Sequence, residues 1–407
     1  MFPRIKTKAG ISPIIYTRGA FTLSSAENII QEEITMAKTT SLYEQDLINV
    51  IYGATVLGAG GGGSATGGMD LLELYKENHP GKTVKLELID PKDMEKGAYA
   101  AITAGMGSPK ALLGKDFTPY AVNSYEALAD MAAGMGRQLK YSCAVEMGGF
   151  NTFVPMLISL LKDIPFVDAD GAARAVPALD TLLLHINGLD TSPLAMADHK
   201  NNRLTIELAD VRDAAEAENV GRHICMAFGM IAGLSGWMVD SEQIQSAIGN
   251  NTVSYAMSIG KCLAEYKAEG RSENVYDYLR IKGGLLSRGV CTGKIIRVDT
   301  KTAGGFDYGV AVVAGDDGHE YKALFQNENL VLFRDEEVLM TAPDIISFYD
   351  KDTHSPLTNA DTKEGQYVDI GLAKVDERWW LQGEEAINKV WEPYFKNVEY
   401  AGKIVRF

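Results

Sequence analysis

The sequence lacks the features that mark several common protein classes. Its 407 residues contain only four cysteines, which do not have the CxxC spacing of zinc knuckles, redox motifs or disulfide scaffolds (Cys143, Cys225, Cys262 and Cys291). The six histidines form neither an HxH nor an HExxH pattern, which argues against a zinc protease. There is no basic block and the formal net charge is −15, so nucleic acid is not an expected partner.

A long hydrophobic run is also missing. The longest uncharged apolar stretch, residues 224–239, contains three glycines and is shorter than the ~17–25 residues that span a bilayer. We interpret it as a buried helix and expect no membrane partner. Residues 1–35 have no continuous apolar core of the kind found in secretory signals. Together with the unpaired cysteines, this favours the reducing cytoplasm.

The chain is long enough to predict two domains, because single hydrophobic cores stop growing at about 250–300 residues. We expect residues 1–40 to be a leader outside the fold. Residues 41–208 alternate short β-like runs with helical patterns, which predicts an α/β domain with a mostly parallel sheet and flanking helices. Ser41 and Glu44 have capping-box spacing and predict the start of the first helix.

Residues 209–407 form the second predicted domain. Helical patterns continue to about residue 267, after which short β-like runs separated by glycine pairs predict a β-rich structure. One of these runs, FQNENLV at 325–331, places four polar residues between apolar ones. This pattern indicates either a turn or a polar patch that faces the other domain.

Glycine is plentiful, and seven of the 41 glycines lie within residues 58–68. Consecutive glycines let a backbone approach a ligand closely, and their amides before a helix form an anion site. We therefore expect this loop to bind a carboxylate or an oxyanion through four residues, Gly60, Gly61, Gly62 and Gly63. The segment also contains GxGxxG, but a dinucleotide site needs a strand before the glycines, where we expect a helix. A plain flexible turn is the remaining alternative.

A second cluster, VEMGGFN at 145–151, lies where a predicted strand gives way to a glycine turn. Ligands of α/β sheets bind at this carboxyl edge. Glu146 is a candidate general base and Asn151 a candidate substrate ligand or helix cap. Cys143, just before the cluster, is interpreted as a buried strand residue rather than a nucleophile, since no histidine lies near it in the sequence.

A third cluster, VDADG at 167–171, is followed by Arg174. Asp168 and Asp170 leave the end of a strand at positions i and i+2, where such carboxylates can share a proton or bind a hard cation. The arginine can hold an anionic group. No cofactor is predicted; a divalent metal at the two aspartates and a simple salt-bridged turn are open alternatives.

Taken in order, these motifs resemble those of the S-methyl thiohydantoin desulfurase family. They are GAGGGG at 58–63, VEMGGFN at 145–151, VDADG at 167–171, FQNENLV at 325–331 and PDIISFYD at 343–350. The resemblance runs from about residue 43 to residue 400. It implies an α/β domain followed by a β-rich domain, and hydrolysis of the carbon–sulfur linkage of an S-methyl thiohydantoin to a hydantoin in bacterial ergothioneine breakdown. Relatives often accompany hydantoinase- or oxoprolinase-type proteins.

The sequence departs from the family pattern directly after VDADG. Where the family commonly has Met, Gly, Phe and Glu, this chain has Ala172, Ala173, Val176 and Ala178, while Arg174 and Pro177 remain. Two hypotheses follow. In the first, the protein hydrolyses a small ring, with Glu146, Asp168 or Asp170 activating water, and forms a homo-oligomer. In the second, it is a non-catalytic metabolite-binding or partner subunit of a hydantoinase- or oxoprolinase-type enzyme.

Overall fold

A computed structural model describes residues 38–107 and 115–407. The predicted leader, residues 1–40, lies outside the described residues apart from its last three, of which Thr39 and Thr40 begin the first strand. Within the described part of the chain, no helix is long and apolar enough to cross a membrane.

The first sheet has nine strands. They are β1 Thr39–Tyr43, β2 Lys85–Ile89, β3 Ala98–Gly107, β4 Gln138–Ala144, β5 Phe166–Asp170, β6 Leu194–Ala197, β7 Arg203–Ile206, β8 Ile231–Val239 and β9 Gly249–Asn250. Their order is β1-β2-β5-β4-β3-β8-β6-β7, and β9 pairs with β5. The inner strands β2, β5, β4 and β3 are parallel and the other pairs are antiparallel. The predicted α/β class is therefore confirmed, with a mixed sheet.

Most of the helices of the described residues flank this sheet, whereas the last two lie against the second sheet described below. They are α1 Glu44–Leu57, α2 Ala65–Asn78, α3 Thr118–Gly134, α4 Phe153–Lys162, α5 Leu183–Ile186, α6 Ala214–Ala227, α7 Ser241–Ala247, α8 Thr252–Ala268, α9 Val275–Gly283 and α10 Glu384–Asn397. Helices α1 and α8 cross in direct backbone contact: a Cβ on Gly53 would lie 1.8 Å from the carbonyl oxygen of Ala256. Only glycine permits this approach.

Two local predictions are wrong. Ser41 does not cap the first helix: it lies in β1, where its hydroxyl donates to Glu87, and α1 begins at Glu44. The apolar stretch 224–239 is not one helix, because α6 ends at Ala227 and β8 follows a turn at residues 228–230. Every residue of β8 is buried, and a strand covered on both faces gives the same continuous apolar pattern as a buried helix.

The second sheet has eight strands, and all its pairs are antiparallel. They are β10 Ser287–Ala303, β11 Phe306–Gly315, β12 Glu320–Gln326, β13 Glu328–Arg334, β14 Glu337–Thr341, β15 Ile345–Asp350, β16 Ser355–Leu357 and β17 Tyr367–Ala373. Their order is β14-β13-β12-β11-β10-β17-β15-β16. The β-rich second part is thus confirmed. The predicted division at residue 208 stays a prediction, and the first sheet takes in β8 and β9 from beyond it.

The two sheets meet at the carboxyl edge of the parallel strands. One hydrophobic cluster contains Val145 and Val167 from the first part together with Leu330 and Val331 from β13. At the end of α1, the hydroxyl of Ser347 in β15 donates to the carbonyl of Val56 at 2.7 Å. This contact region contains the motifs singled out from the sequence.

Candidate functional site

The Gly-rich segment is a tight loop between α1 and α2. Gly60, Gly62 and Gly63 have φ angles of 88°, 67° and 78°, a region in which a side chain is strained. Ser64 caps α2 by accepting a hydrogen bond from the amide of Gly67 at 3.1 Å. The element before the glycines is helix α1, so the strand that a dinucleotide-binding motif requires is not there.

The loop packs directly against β13. A Cβ on Gly61 would lie 1.9 Å from Oε1 of Glu328, and a Cβ on Gly60 would lie 2.7 Å from Nδ2 of both Asn329 and Asn359. The amide of Asn359 also donates to the Gly60 carbonyl at 2.8 Å. In this structure the glycines therefore allow a close approach of protein side chains, including a carboxyl group. Their predicted role toward a substrate stays a prediction.

The other side of the loop contacts the turn after β4. A Cβ on Gly62 would lie 2.7 Å from Cα of Gly148, and the amide of Asn151 donates to the Gly62 carbonyl at 3.0 Å. The side chain of Asn151 accepts from the amide of Gly105 at 3.2 Å and donates to Glu146 at 2.7 Å. Asn151 thus connects the glycine loop to the predicted general base.

Glu146 is a buried carboxyl group with both oxygens engaged. Oε1 accepts from Asn151 and Oε2 accepts from the amide of Val176 at 2.8 Å. Burial raises its pKa to about 7; the hydrogen bonds and the charge of Arg174 oppose that shift, whereas the charge of Glu218 adds to it. A carboxyl group with a pKa near neutrality can accept and release a proton at physiological pH.

Glu328, the first residue of β13, is the site residue that the sequence analysis did not identify. Its side chain is 2% exposed and its Oε2 has no hydrogen-bond partner. Burial raises its pKa well above the ordinary value, and the negative charge of Glu146 raises it further. Arg174 and the amide of Gly62 lower it. The sequence feature that could have indicated Glu328 is the polar run in FQNENLV at 325–331. One of its two interpretations, a polar patch that faces the first domain, agrees with the position of Glu328.

Arg174 lies fully buried beside these carboxyl groups. Nε donates to the carbonyl of Ala175 at 2.6 Å, and Nη1 donates to the carbonyls of Pro343 and Asp344 at 2.7 and 3.1 Å. The guanidinium carbon stands 5.4 Å from the ring centroid of Trp391. Nη2 has no partner. The side chain therefore joins the loop after β5 to the second sheet and keeps one donor for a further group.

Asp168 is engaged elsewhere, at the start of α8. Oδ1 accepts from the amides of Val253 and Ser254, both at 3.0 Å, and Oδ2 accepts from the Ser254 hydroxyl. This is the arrangement of a helix cap, in which a negative charge also complements the helix dipole. The hydrogen bonds of Asp168 thus lead to a helix terminus and not to Glu146.

Asp170 turns into the loop that follows β5. Its Oδ2 accepts from the amides of Ala172 and Ala173 at 3.0 and 2.7 Å, and Oδ1 has no partner. Burial raises its pKa to about 7. Asp170 therefore holds the conformation of the loop that carries Arg174.

Ala178, one of the positions at which the sequence departs from the pattern that the resemblance implies, is buried. The amide of the next residue, Leu179, donates to Oε2 of Glu218 at 3.2 Å. Glu218 comes from α6 and is paired with Arg222 of the same helix at 2.5 Å. An acidic side chain therefore lies beside this loop.

Two further sequence predictions concern Cys143 and metal ions. Cys143 is fully buried in β4, and burial raises its thiol pKa well above the ordinary value, which disfavours a nucleophilic thiolate. Among residues 38–107 and 115–407, no three His, Cys, Asp or Glu side chains gather in a way that could hold a metal ion.

The cluster is closed, and open cavities occur at other places. One of about 390 Å³ lies between the start of α1 and the end of α2, lined by residues that include Tyr43, Lys76 and Lys82. Another of about 80 Å³ lies near Arg137 and Asp190. Neither cavity is lined by Glu146, Glu328 or Arg174. These three residues have buried charges that act on one another, which is typical of catalytic sites.

Two family models match the chain, one described as S-Me-THD-like, N-terminal domain, over residues 45–208, and one as S-Me-THD-like, C-terminal domain, over residues 212–401. The chain is similar in structure to a protein from Chromobacterium violaceum solved by X-ray crystallography, with a TM-score of 0.77 and 23% sequence identity. The match covers 90% of this chain and 99% of that chain, and shows the fold. A comparison with curated proteins gave no match.

Proposed function

The chain belongs to the S-Me-THD-like family, and we propose that it hydrolyses a small ring of the S-methyl thiohydantoin or hydantoin type. The family suggests a desulfurase- or hydrolase-type role, and the proposal proceeds from that role. The observation that carries this proposal is the buried carboxyl pair Glu146 and Glu328 beside Arg174. Water activation on a polar ring requires a base whose pKa lies near neutrality, as that of Glu146 does, and a donor that is free to bind the ring, such as Nη2 of Arg174.

In the proposed reaction, Glu146 acts as the general base. It takes a proton from a water molecule, whose oxygen bonds to the ring carbon that carries the S-methyl group. The carbon–sulfur bond then breaks, and methanethiol leaves with the proton that Glu146 received. The ring carbon becomes a carbonyl as the proton of its new hydroxyl passes to the ring nitrogen of the former carbon–nitrogen double bond, so one water is consumed and one thiol is released. General base catalysis of this kind contributes about 10²–10⁴-fold to a rate.

The neighbouring groups suit the positions predicted for them. Asn151 orients Glu146 through the 2.7 Å hydrogen bond to Oε1. In this proposal Arg174 offers its unpartnered Nη2 to an anionic or carbonyl oxygen of the ring, and the glycine loop of Gly60, Gly61, Gly62 and Gly63 is the neighbouring backbone, with Gly61 directly against Glu328. Asp168 and Asp170 serve in this proposal as anchors of α8 and of the loop after β5, outside the bond-breaking step.

The proposal is tested by incubating the purified protein with a panel of hydantoins and S-methyl thiohydantoins and measuring thiol release and ring products. We expect thiol release from an S-methylated ring, and a loss of at least about 100-fold in kcat for Glu146→Gln. A parallel series with a chelator tests dependence on a metal ion.

The matched control is Glu385→Gln, which removes a carboxylate from the exposed face of α10, where Glu385 is 87% exposed and pairs only with Lys389 across the helix surface. Its turnover should equal that of the unaltered protein. If the Glu146 variant retained full turnover on a confirmed substrate, Glu146 would not be the base. If no ring of the panel reacted, with or without added divalent metal, the hydrolase proposal would fail.

A further inference from the structure

The carboxyl group of Glu328 has the properties of a functional group rather than of a structural one. It is 2% exposed, and Oε2 lacks a hydrogen-bond partner among the residues that the structure describes. A buried carboxyl oxygen without a partner is destabilising, more so when it is charged, so structural carboxyl groups normally have their oxygens engaged. Asp168 illustrates the structural case, since both of its oxygens accept hydrogen bonds.

The surroundings of Glu328 are built to accommodate it. The absence of a side chain at Gly61 makes room for Oε1, and the amide of Gly62 stabilises its charge. The positive charge of Arg174 lowers the pKa of Glu328, and Nη2 of Arg174 has no partner among the described residues. The other charged groups that act on this cluster are Glu146, Glu218 through Glu146, and Asp344 through Arg174.

Two buried carboxyl groups that repel one another and share one arginine retain a proton between them near neutral pH. Both oxygens of Glu146 accept hydrogen bonds, which favour its ionised form, whereas Oε2 of Glu328 accepts none among the described residues, so Glu328 is the member of the pair that keeps the proton. The pair then consists of one base and one acid. This is the complement that hydrolysis of a carbon–nitrogen double bond needs.

We propose that Glu328 is the proton donor of the site and acts together with Glu146 on the ring. The proposal rests on the proposed function. As Glu146 takes a proton from water and the water oxygen bonds to the ring carbon, the carbon–nitrogen π electrons move to the ring nitrogen, which takes the proton of Glu328. When the carbon–sulfur bond breaks, the thiolate takes the proton held by Glu146, and the new hydroxyl returns its proton to Glu328 as the carbonyl forms.

The first test needs no substrate and reports on the pair alone. Infrared difference spectra of the free protein are recorded from pH 5 to pH 10 for the unaltered chain, Glu146→Gln and Glu328→Gln, and the protonated carboxyl bands are assigned by their loss in each variant. We expect Glu146→Gln to lower the pKa of Glu328, because it removes a negative charge. Asp369→Asn, which removes a buried acid in β17 that does not act on Glu146 or Glu328, serves as the control. An unmoved Glu328 band in the Glu146 variant would overturn the pairing.

The second test measures the rate. With a substrate from the panel above, we expect Glu328→Gln to lower kcat at least about 100-fold and to abolish the decline of the rate at high pH. Glutamine has the shape of the protonated acid but cannot donate its proton. Far-UV circular dichroism checks that the variant is folded. Full activity of this variant would overturn the donor role even if the pairing held. If no substrate reacts, the infrared result still decides on the pair, so failure of the proposed function is distinguishable.

Discussion

Arg174 is the residue at which the fold and the site depend on each other, and its replacement gives a quantitative prediction. In Arg174→Met the carbonyls of Ala175, Pro343 and Asp344 lose their donors. A buried polar group left without a partner costs about 1–3 kcal/mol, so three of them cost roughly 6 kcal/mol at the middle of that range. The loss falls on the contact between the two sheets.

Part of this cost is offset because methionine carries no charge. Burial lowers the pKa of Arg174 to about 10 from its ordinary value of 12.5. At about 1.4 kcal/mol per pKa unit, keeping the guanidinium charged costs the folded protein about 3 kcal/mol, which the variant recovers. We therefore expect the free energy of unfolding to fall by about 3 kcal/mol.

The measurement is urea denaturation at pH 7, followed by far-UV circular dichroism and tryptophan fluorescence. Arg297→Met, in which an arginine that is 55% exposed on β10 is replaced, is the matched control and should stay within about 0.5 kcal/mol of the unaltered protein. A loss below 1 kcal/mol for Arg174→Met, with an unchanged dependence on urea, would refute the assignment of Arg174 as a buried link between the sheets.

Three further predictions concern the neighbouring residues. Gly61→Ala places a Cβ 1.9 Å from the present position of Glu328 Oε1, so the rate of thiol release should drop at least tenfold. The control Gly134→Ala, whose Cβ would have nothing within 4 Å, should leave that rate unchanged. Asp168→Asn should lower the free energy of unfolding in urea by about 1–2 kcal/mol, because α8 loses a charged cap; a large loss of turnover at unchanged stability would instead indicate catalysis. The raised pKa of Asp170, about 7, means that its contribution to stability is complete below pH 4 and is lost as the pH rises through 7. Asp170→Asn should therefore flatten the decline of the melting temperature between pH 5 and pH 8, and an equally steep decline in the variant would contradict this.

Much of the fold was predictable because local patterns and global packing agree in it. Residues 84–88 alternate as a half-buried strand should, and β2 occupies almost the same positions. Strands β6 and β7 form a hairpin around Asn201 and Asn202, residue types that favour turns. The error at β8 has a physical cause: a strand buried on both faces has no alternation, and periodicity alone cannot distinguish it from a buried helix.

The sequence predicted the site residues that belong to the first sheet but not Glu328 of the second sheet. Glu146, Asn151 and Arg174 follow strand ends of one sheet, and the position of those ends at a common edge follows from the α/β pattern. Glu328 comes from the other sheet, about 180 residues later, and nothing local to the sequence indicates that β13 lies against the glycine loop. Likewise, the spacing of Asp168 and Asp170 could not reveal that α8 uses the first of them as its cap.

The account depends most directly on the ionisation of Glu146, and one measurement tests it: the pH dependence of kcat/KM for thiol release between pH 5 and pH 9. This quantity reports the essential groups of the free enzyme. Because Glu146 must be ionised to accept a proton and its pKa is raised to about 7, kcat/KM should fall below pH 7 in proportion to the remaining carboxylate. A rate that stays constant down to pH 5 would contradict the assignment of this buried carboxyl group as the base.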